Sequence, residues 1–263
     1  MSSANFEYLL PDWPSPTNIK SLVTKRIGGN SLPPFDGFNL AMHVGDNPKF
    51  VQDNRVLLES VIPSKPFWLN QTHSADVWIS SSRDLQNCIQ TDADASITIF
   101  PQQVLAILTA DCLPVLLTDH SGQIIAAAHA GWRGLSNGIL ENTVQEMIKT
   151  LSARDLNCSP SNLMAWIGPA IGPEFFEVGQ DVYDCFLKNF GHKGDVTSCF
   201  KPSTSQGKYL ADLYQLAHMS LSFVGVKSIY GKVHCSFKNT NDFFSYRRDG
   251  KTGRFASLIW IDK

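Results

Sequence analysis

The sequence predicts an α+β or mixed α/β protein rather than a strictly alternating parallel fold. Two observations carry this. Apolar stretches of strand composition come in groups, and helical periodicities fall between the groups instead of after every strand. The one stretch with linker character, 191–208 (GHKGDVTSCFKPSTSQGK), is short and does not separate regions of different composition, so 1–263 reads as a single domain.

In chain order, 19–27 (IKSLVTKRI) is a strand, followed by a Gly- and Pro-rich loop, GGNSLPPFDGFNL. In NPKFVQDNRVLLESVIP, apolar Val51, Leu58, Val61 and Ile62, with Pro48 near the start, suit an amphipathic helix. FWLNQTHSADVWIS reads as two short strands around a polar turn. DADASITIF and VLAILTA are strands, and PVLLTD and QIIAAAHA are two more joined by HSG, a good hairpin turn. The period then changes. Leu135, Ile139, Leu140, Val144, Met147, Ile148 and Leu151 share one helical face, on a helix that begins near Trp132–Leu135. LMAWIGP is a strand, GQDVYDCFLKNF and KYLADLYQLAHMSLSFVG are helices, and SIYGKVHC and RFASLIWI close the chain as strands.

The 263 residues are 43% hydrophobic and 17% charged, which allows a sizeable core. A formal net charge of -2 gives no general attraction to nucleic acid or to an anionic membrane. No run approaches the ~18 apolar residues of a membrane span. The N-terminus, MSSANFEYLLPDWPSP, lacks the basic start and apolar core of a secretory signal. The six Cys form no CxxC, so reduced thiols in a cytoplasm are expected. Oligomeric state has no signature here.

Cys112 interrupts an apolar run and is followed closely by Pro114, which cannot donate to a sheet ladder and marks a strand break or edge. Alone, such a thiol is most often a buried structural one. His129 ends the next strand, and a hairpin returning from the Cys112 strand could bring the two together. His73 lies in the polar turn NQTHSADV. A Cys/His/His set suits zinc held by three protein ligands with one open position, and thiolate and imidazole also suit copper. Spacing does not establish the set, because its members come from distant segments.

Arg133, at the expected helix start, is the first candidate for holding a phosphate or carboxylate. Arg26, Arg55, Arg247 and Arg248 are further candidates, although paired arginines are usually solvated. Trp132, Phe243, Phe244 and Tyr246 are candidates for stacking on a flat ring, with core packing the commoner use.

NQTHSADV, TADCLPVLL, AAAHAGWRG, IGPAIGP and FFSYRRDGKTGR, in this order, resemble the YfiH-like family, also labelled the multicopper polyphenol oxidase or laccase-domain family. The resemblance runs from TKRIGG through FNLAMHVGDNPKFVQDNR to GRFASLIWI. It implies a compact α+β domain with mixed β-sheets and flanking helices, and zinc ligands at His73, Cys112 and His129. It further implies phosphorolysis of purine nucleosides (adenosine, inosine, guanosine, with methylthioadenosine as a further candidate) and an added adenosine deaminase activity. Asn39 and His43, in the matched FNLAMHVGDN stretch, join the arginines as candidate substrate or phosphate residues. After Cys235 the chain reads CSFKNT, where members often read CTY.

Two other classes remain open at this level. A multicopper oxidase needs many His, usually as HxH pairs, and the seven His here include none. A metal-free Cys–His hydrolase would use Cys112 as nucleophile and His129 or His73 as base, leaving a second His without a required role.

Overall fold

The computed structural model describes residues 6–81, 91–156, 158–231 and 234–263; Cys88 and part of SIYGKVHC lie outside them. The strands are β1 (Phe6–Leu9), β2 (Ile19–Gly28), β3 (Phe67–Trp68), β4 (Val77–Ile79), β5 (Ala95–Thr98), β6 (Leu105–Thr109), β7 (Leu113–Asp119), β8 (Ile125–Ala130), β9 (Leu163–Ile167), β10 (Glu177–Gly179), β11 (Phe200–Pro202), β12 (Lys208–Ala211), β13 (Ser228–Tyr230) and β14 (Phe255–Ile261). The helices are α1 (Pro48–Glu59), α2 (Trp132–Ser136), α3 (Ile139–Ser152), α4 (Gln180–Phe190), α5 (Leu213–Phe223) and α6 (Tyr246–Asp249).

Two mixed sheets stack on each other. One has the order β1-β2-β14-β6-β3, the other β13-β9-β7-β8-β5-β4. The pairs β3–β6, β4–β5 and β13–β9 are parallel, and the other pairs in these sheets are antiparallel. Strand alternation decides the layering. In β7, Leu116 joins the core between the sheets, with Val23, Ile107, Ile125 and Ile259. Val115 and Leu117 point the other way, onto a second core formed with Leu140, Val144 and Met147 of α3, Phe186 of α4 and Leu216 of α5. A third core lies outside the five-stranded sheet, where Leu58 of α1 meets Phe38, Leu40 and Leu258. Both faces of each large sheet are covered, which is why the strands read as nearly unbroken apolar runs. The fold is α+β with mixed sheets, as expected.

Several local expectations change. The helix expected from Trp132 onward is two. Gly138, at φ 90°, breaks the chain between α2 and α3 in a conformation that L side chains rarely adopt. The periodic face survives the break because Leu135 and Ile139 enter the same core. Lys208–Ala211, placed by its apolar spacing at the start of a helix, is instead β12, and Asp212 caps α5 by accepting from Gln215 N at 3.0 Å. Strands β10, β11 and β12 form a small antiparallel sheet, so the linker-like stretch contains structure. Strand β1 and the short α6 had no periodic signal.

Candidate metal centre

The chain crosses between the two large sheets twice in this region. The β3–β4 connection carries His73, and the β6–β7 connection carries Asp111 and Cys112. His129 sits near the end of β8, opposite Pro114 in the register. The β9 ladder on the other side of β7 begins only at Val115, so Pro114 lies where its missing N–H is tolerated. The hairpin therefore sets Cys112 two residues beyond the position opposite His129, and the sheet-to-sheet crossover delivers His73.

The ligand atoms of His73, Cys112 and His129 all lie within 4.8 Å of one another. His73 Nε2 is 3.8 Å from Cys112 Sγ, and the two imidazoles meet edge to face at 4.8 Å between centroids. His129 is buried, Cys112 half-buried and His73 exposed, so the cluster opens on the His73 side. Tetrahedral zinc places N and S ligand atoms roughly 3.3–3.6 Å apart, given Zn–N of about 2.0 Å and Zn–S of about 2.3 Å. Small side-chain adjustments would reach that spacing.

Gly131 gives independent support. A Cβ there would lie 3.0 Å from His73 Cδ2, 3.1 Å from Cys112 Sγ and 3.5 Å from His129 Cε1. Its backbone, at φ -61° and ψ 155°, would accept any residue, so the demand for glycine comes from the space between the three ligands. Gly134 is similarly confined, because a Cβ would meet the Ser74 carbonyl at 2.7 Å.

Sequence reading passed over Asp94, the residue that organises the site. Its carboxylate has no exposure. One oxygen, Oδ1, accepts from His129 Nδ1 at 2.7 Å and from His73 N at 3.0 Å. The other, Oδ2, accepts from Thr72 N, Thr72 Oγ1, Ser74 N and Ser74 Oγ at 2.6–3.3 Å. Asp94 thereby holds the His73 turn, where His73 adopts φ 62°, and leaves His129 Nε2 free for a metal. The available signal was an acid just before the apolar strand ASIT.

Asp111 plays a parallel part for Cys112. It too has positive φ, 94°, and its carboxylate accepts from Ser236 Oγ at 2.6 Å and Arg247 N at 2.7 Å. Two non-glycine residues in left-handed backbone beside one cluster is the pattern of a site held in place by its surroundings.

The charges reinforce one another. Burial pushes the Cys112 thiol up, but the His129 charge and hydrogen bonds from both imidazoles outweigh it and bring the thiol down to about 6. Burial alone would lower His129, yet the Cys112 thiolate and Asp94 raise it. Burial likewise works against the Asp94 carboxylate, and its bonds to His129 and Ser74 hold it at about 2.

Most of the other candidates are tied to neighbours of their own. Arg133 is exposed, with its guanidinium over the Trp132 ring at 4.4 Å, and α2 is too short to add much of a helix dipole. Arg26 pairs with Asp36 and lines an open cavity of about 610 Å³ with Thr240 and Asn241. Arg248 pairs with Asp249 and donates to the carbonyls of Ser236, Phe237 and Phe243. Arg247 donates to the Glu177 carbonyl at 2.9 Å. Arg55 donates to the Leu40 carbonyl at 3.0 and 2.8 Å and lies over Trp68. Asn39 is fully buried and clamps its own loop, accepting from Ala41 N and Arg254 N. His43 is exposed. Phe243 and Phe244 are core residues, whereas Trp132 is half-buried and Tyr246 exposed.

Fold and site together define a mixed-sheet α+β protein with a Cys/His/His donor set at a crossover between sheets. The chain belongs to the multi-copper polyphenol oxidoreductase laccase family, whose model matches residues 20–262. It is 44% identical to a Pseudomonas aeruginosa protein named purine nucleoside phosphorylase, over 97% of this chain and 98% of that one. Escherichia coli purine nucleoside phosphorylase YfiH is also 44% identical, over 96% and 98%. A Neisseria meningitidis crystal structure superposes with a TM-score of 0.88 at 44% identity, covering 97% and 99%. YlmD from Geobacillus stearothermophilus superposes at 0.87 with 29% identity, covering 98% and 99%. No helix among the described residues is long and apolar enough to cross a membrane.

Proposed function

We propose that the protein is a zinc-dependent purine nucleoside phosphorylase that uses adenosine, inosine and guanosine, with adenosine deaminase as a second activity of the same site. The convergence of His73, Cys112 and His129, in a chain that matches proteins named for this reaction along nearly its full length, carries the reading. Bound zinc would supply Lewis-acid polarisation of a substrate oxygen or of water.

The chain's residues do the rest. Cys112 as thiolate and the two imidazoles hold the metal. Asp94 keeps a proton on His129 Nδ1, so Nε2 presents its lone pair. Phosphorolysis then requires a phosphate placed against C1′ of the sugar, and positioning with charge neutralisation provides most of the rate. That role calls for a basic side chain beside the cluster, and exposed Tyr246 offers a face for the purine. Deamination instead requires water placed against C6 of the adenine, with ammonia as the leaving group and the bond at C1′ left intact. The five free thiols among the described residues fit a reducing cytoplasm.

The test is incubation of the purified protein with adenosine or inosine, with and without phosphate. Free base plus ribose 1-phosphate is expected only with phosphate, and inosine from adenosine in both cases. A second reading, a metal-free Cys–His hydrolase, draws on the lowered Cys112 thiol beside the raised His129. Zinc near one per chain in protein purified without added metal favours the first reading. Turnover undiminished by complete metal removal favours the second.

A further inference from the structure

The arginine best placed for the anion was not among the sequence candidates. Phe255 of β14 pairs with Thr109 of β6, so Arg254, the residue before it, runs alongside the crossover that carries Asp111 and Cys112. Its backbone is fixed on both sides. Arg254 N donates to Asn39 Oδ1 at 2.9 Å, and its carbonyl accepts from Leu40 N at 3.2 Å. The carbonyl of that same Leu40 receives the Arg55 guanidinium. One short segment, Asn39–Leu40, therefore holds both arginines.

Both guanidiniums are half-buried, and neither forms an ion pair among the described residues. Cys112 and then the Asp111 carboxylate act on Arg254 through space, but neither bonds it, and the hydrogen bonds of Asp111 go to Ser236 and Arg247. Arg254 instead turns Nη1 onto the carbonyls of Thr252 and Gly253 at 3.0 Å. His43 follows on the same segment. It lies three residues beyond Leu40 and is exposed, at the rim of the two arginines rather than among their hydrogen bonds. Desolvated cations without a counter-ion are costly, and the ordinary remedy is an anion. By contrast, Arg26 and Arg248 already have carboxylate partners.

We propose that Arg254 and Arg55 form an anion pocket beside the Cys112 edge of the metal cluster, and that inorganic phosphate, the second substrate of the phosphorolysis proposed above, docks there on Arg254. The location rests on that reading for its substrate, though not for its charge. Asn39 is a positioning residue that presents Arg254 and Leu40. Fork geometry matters as well as charge, because a guanidinium binds two phosphate oxygens at once.

The experiment measures inorganic phosphate binding by calorimetry and the phosphate KM of phosphorolysis. It uses the metal-loaded wild type and the variants Arg254→Gln, Arg254→Lys, Arg133→Gln and Lys149→Gln, the last an exposed charge control. Arg254→Gln should weaken phosphate binding roughly ten- to a hundred-fold, and Arg254→Lys by about ten-fold or less. The deaminase rate of Arg254→Gln should change less than threefold, which a merely structural role would not predict. Unchanged phosphate affinity in a folded Arg254→Gln, or a tenfold loss in Arg133→Gln alone, overturns the pocket. So does a wild type that binds no phosphate. The two proposals separate cleanly. Arg254-dependent phosphate binding without phosphorolysis keeps the pocket and removes the activity. Phosphorolysis indifferent to Arg254 does the reverse.

Discussion

Replacing Asp94 by Asn tests the organisation of the site without changing its shape. One oxygen becomes an NH2 group, and either choice sets it against donors. If Oδ2 is replaced, the N–H groups of Thr72 and Ser74 lose their acceptor; if Oδ1, those of His73 and His129 Nδ1 do. Two donors left unsatisfied at about 1–2 kcal/mol each, the lower part of the usual range because Thr72 and His73 are exposed residues, predict a loss of about 2–4 kcal/mol in metal-free protein. For a chain of this size that is a fall in Tm of roughly 5–15 °C. Metal affinity should fall about 10- to 100-fold, the usual consequence of losing the carboxylate behind a ligating histidine. The assays are thermal melts of chelator-treated protein and a competitive zinc titration.

The same substitution has a pH signature. The Asp94 carboxyl is held at about 2, below its ordinary value of 3.8. A carboxyl depressed in the folded state contributes stability above its unfolded value and loses it as the pH falls through its folded value. The wild-type advantage over Asp94→Asn should therefore be full at neutral pH and shrink between pH 4 and 2. A variant with unaltered Tm and zinc affinity, or an advantage that ignores pH in that window, would refute this account of Asp94.

Other outcomes follow from the same geometry. Gly131→Ala should fold normally, since its backbone tolerates a Cβ, but should bind zinc at least about tenfold more weakly because the methyl enters the ligand space; unchanged affinity in a competition titration would contradict this. Cys112→Ala should abolish phosphorolysis and deamination and lower bound zinc, as measured by metal analysis and product assays; lost activity with retained zinc would make Cys112 a nucleophile or acid. In metal-free protein, alkylation of Cys112 followed by peptide mapping should rise with a midpoint near pH 6, well below an ordinary thiol, and a midpoint above 8 would remove the thiolate–imidazolium pair.

Local patterns were readable wherever one segment contained the whole signal. Alternating apolar runs with a turn between them were enough to expect β7 and β8. Because hairpin register follows from that turn, they also brought Cys112 and His129 to neighbouring positions. The amphipathic period of α3 and the position of α1 were legible for the same reason. The break at Gly138 was not, because Leu135 and Ile139 reach the same core from either side of it. Nor was β12, whose apolar residues fit a helical spacing until a partner strand supplied its hydrogen bonds.

What the sequence by itself determined was a mixed α and β chain, its main elements and one pair of site residues. The sequence also offered His73 as a third member, and the motif resemblance fell on the same three residues. Only the tertiary structure decided why His73 arrives, since β3 and β4 belong to different sheets and the connection between them must cross the sandwich at the Cys112 end. It also decided that Asp94 binds the turn to His129 and that Arg254 lies beside the crossover. An isolated acid or arginine in a sequence has no periodicity. Its role is set by which distant segments are packed against it, and in this fold the stacking of two sheets makes that choice.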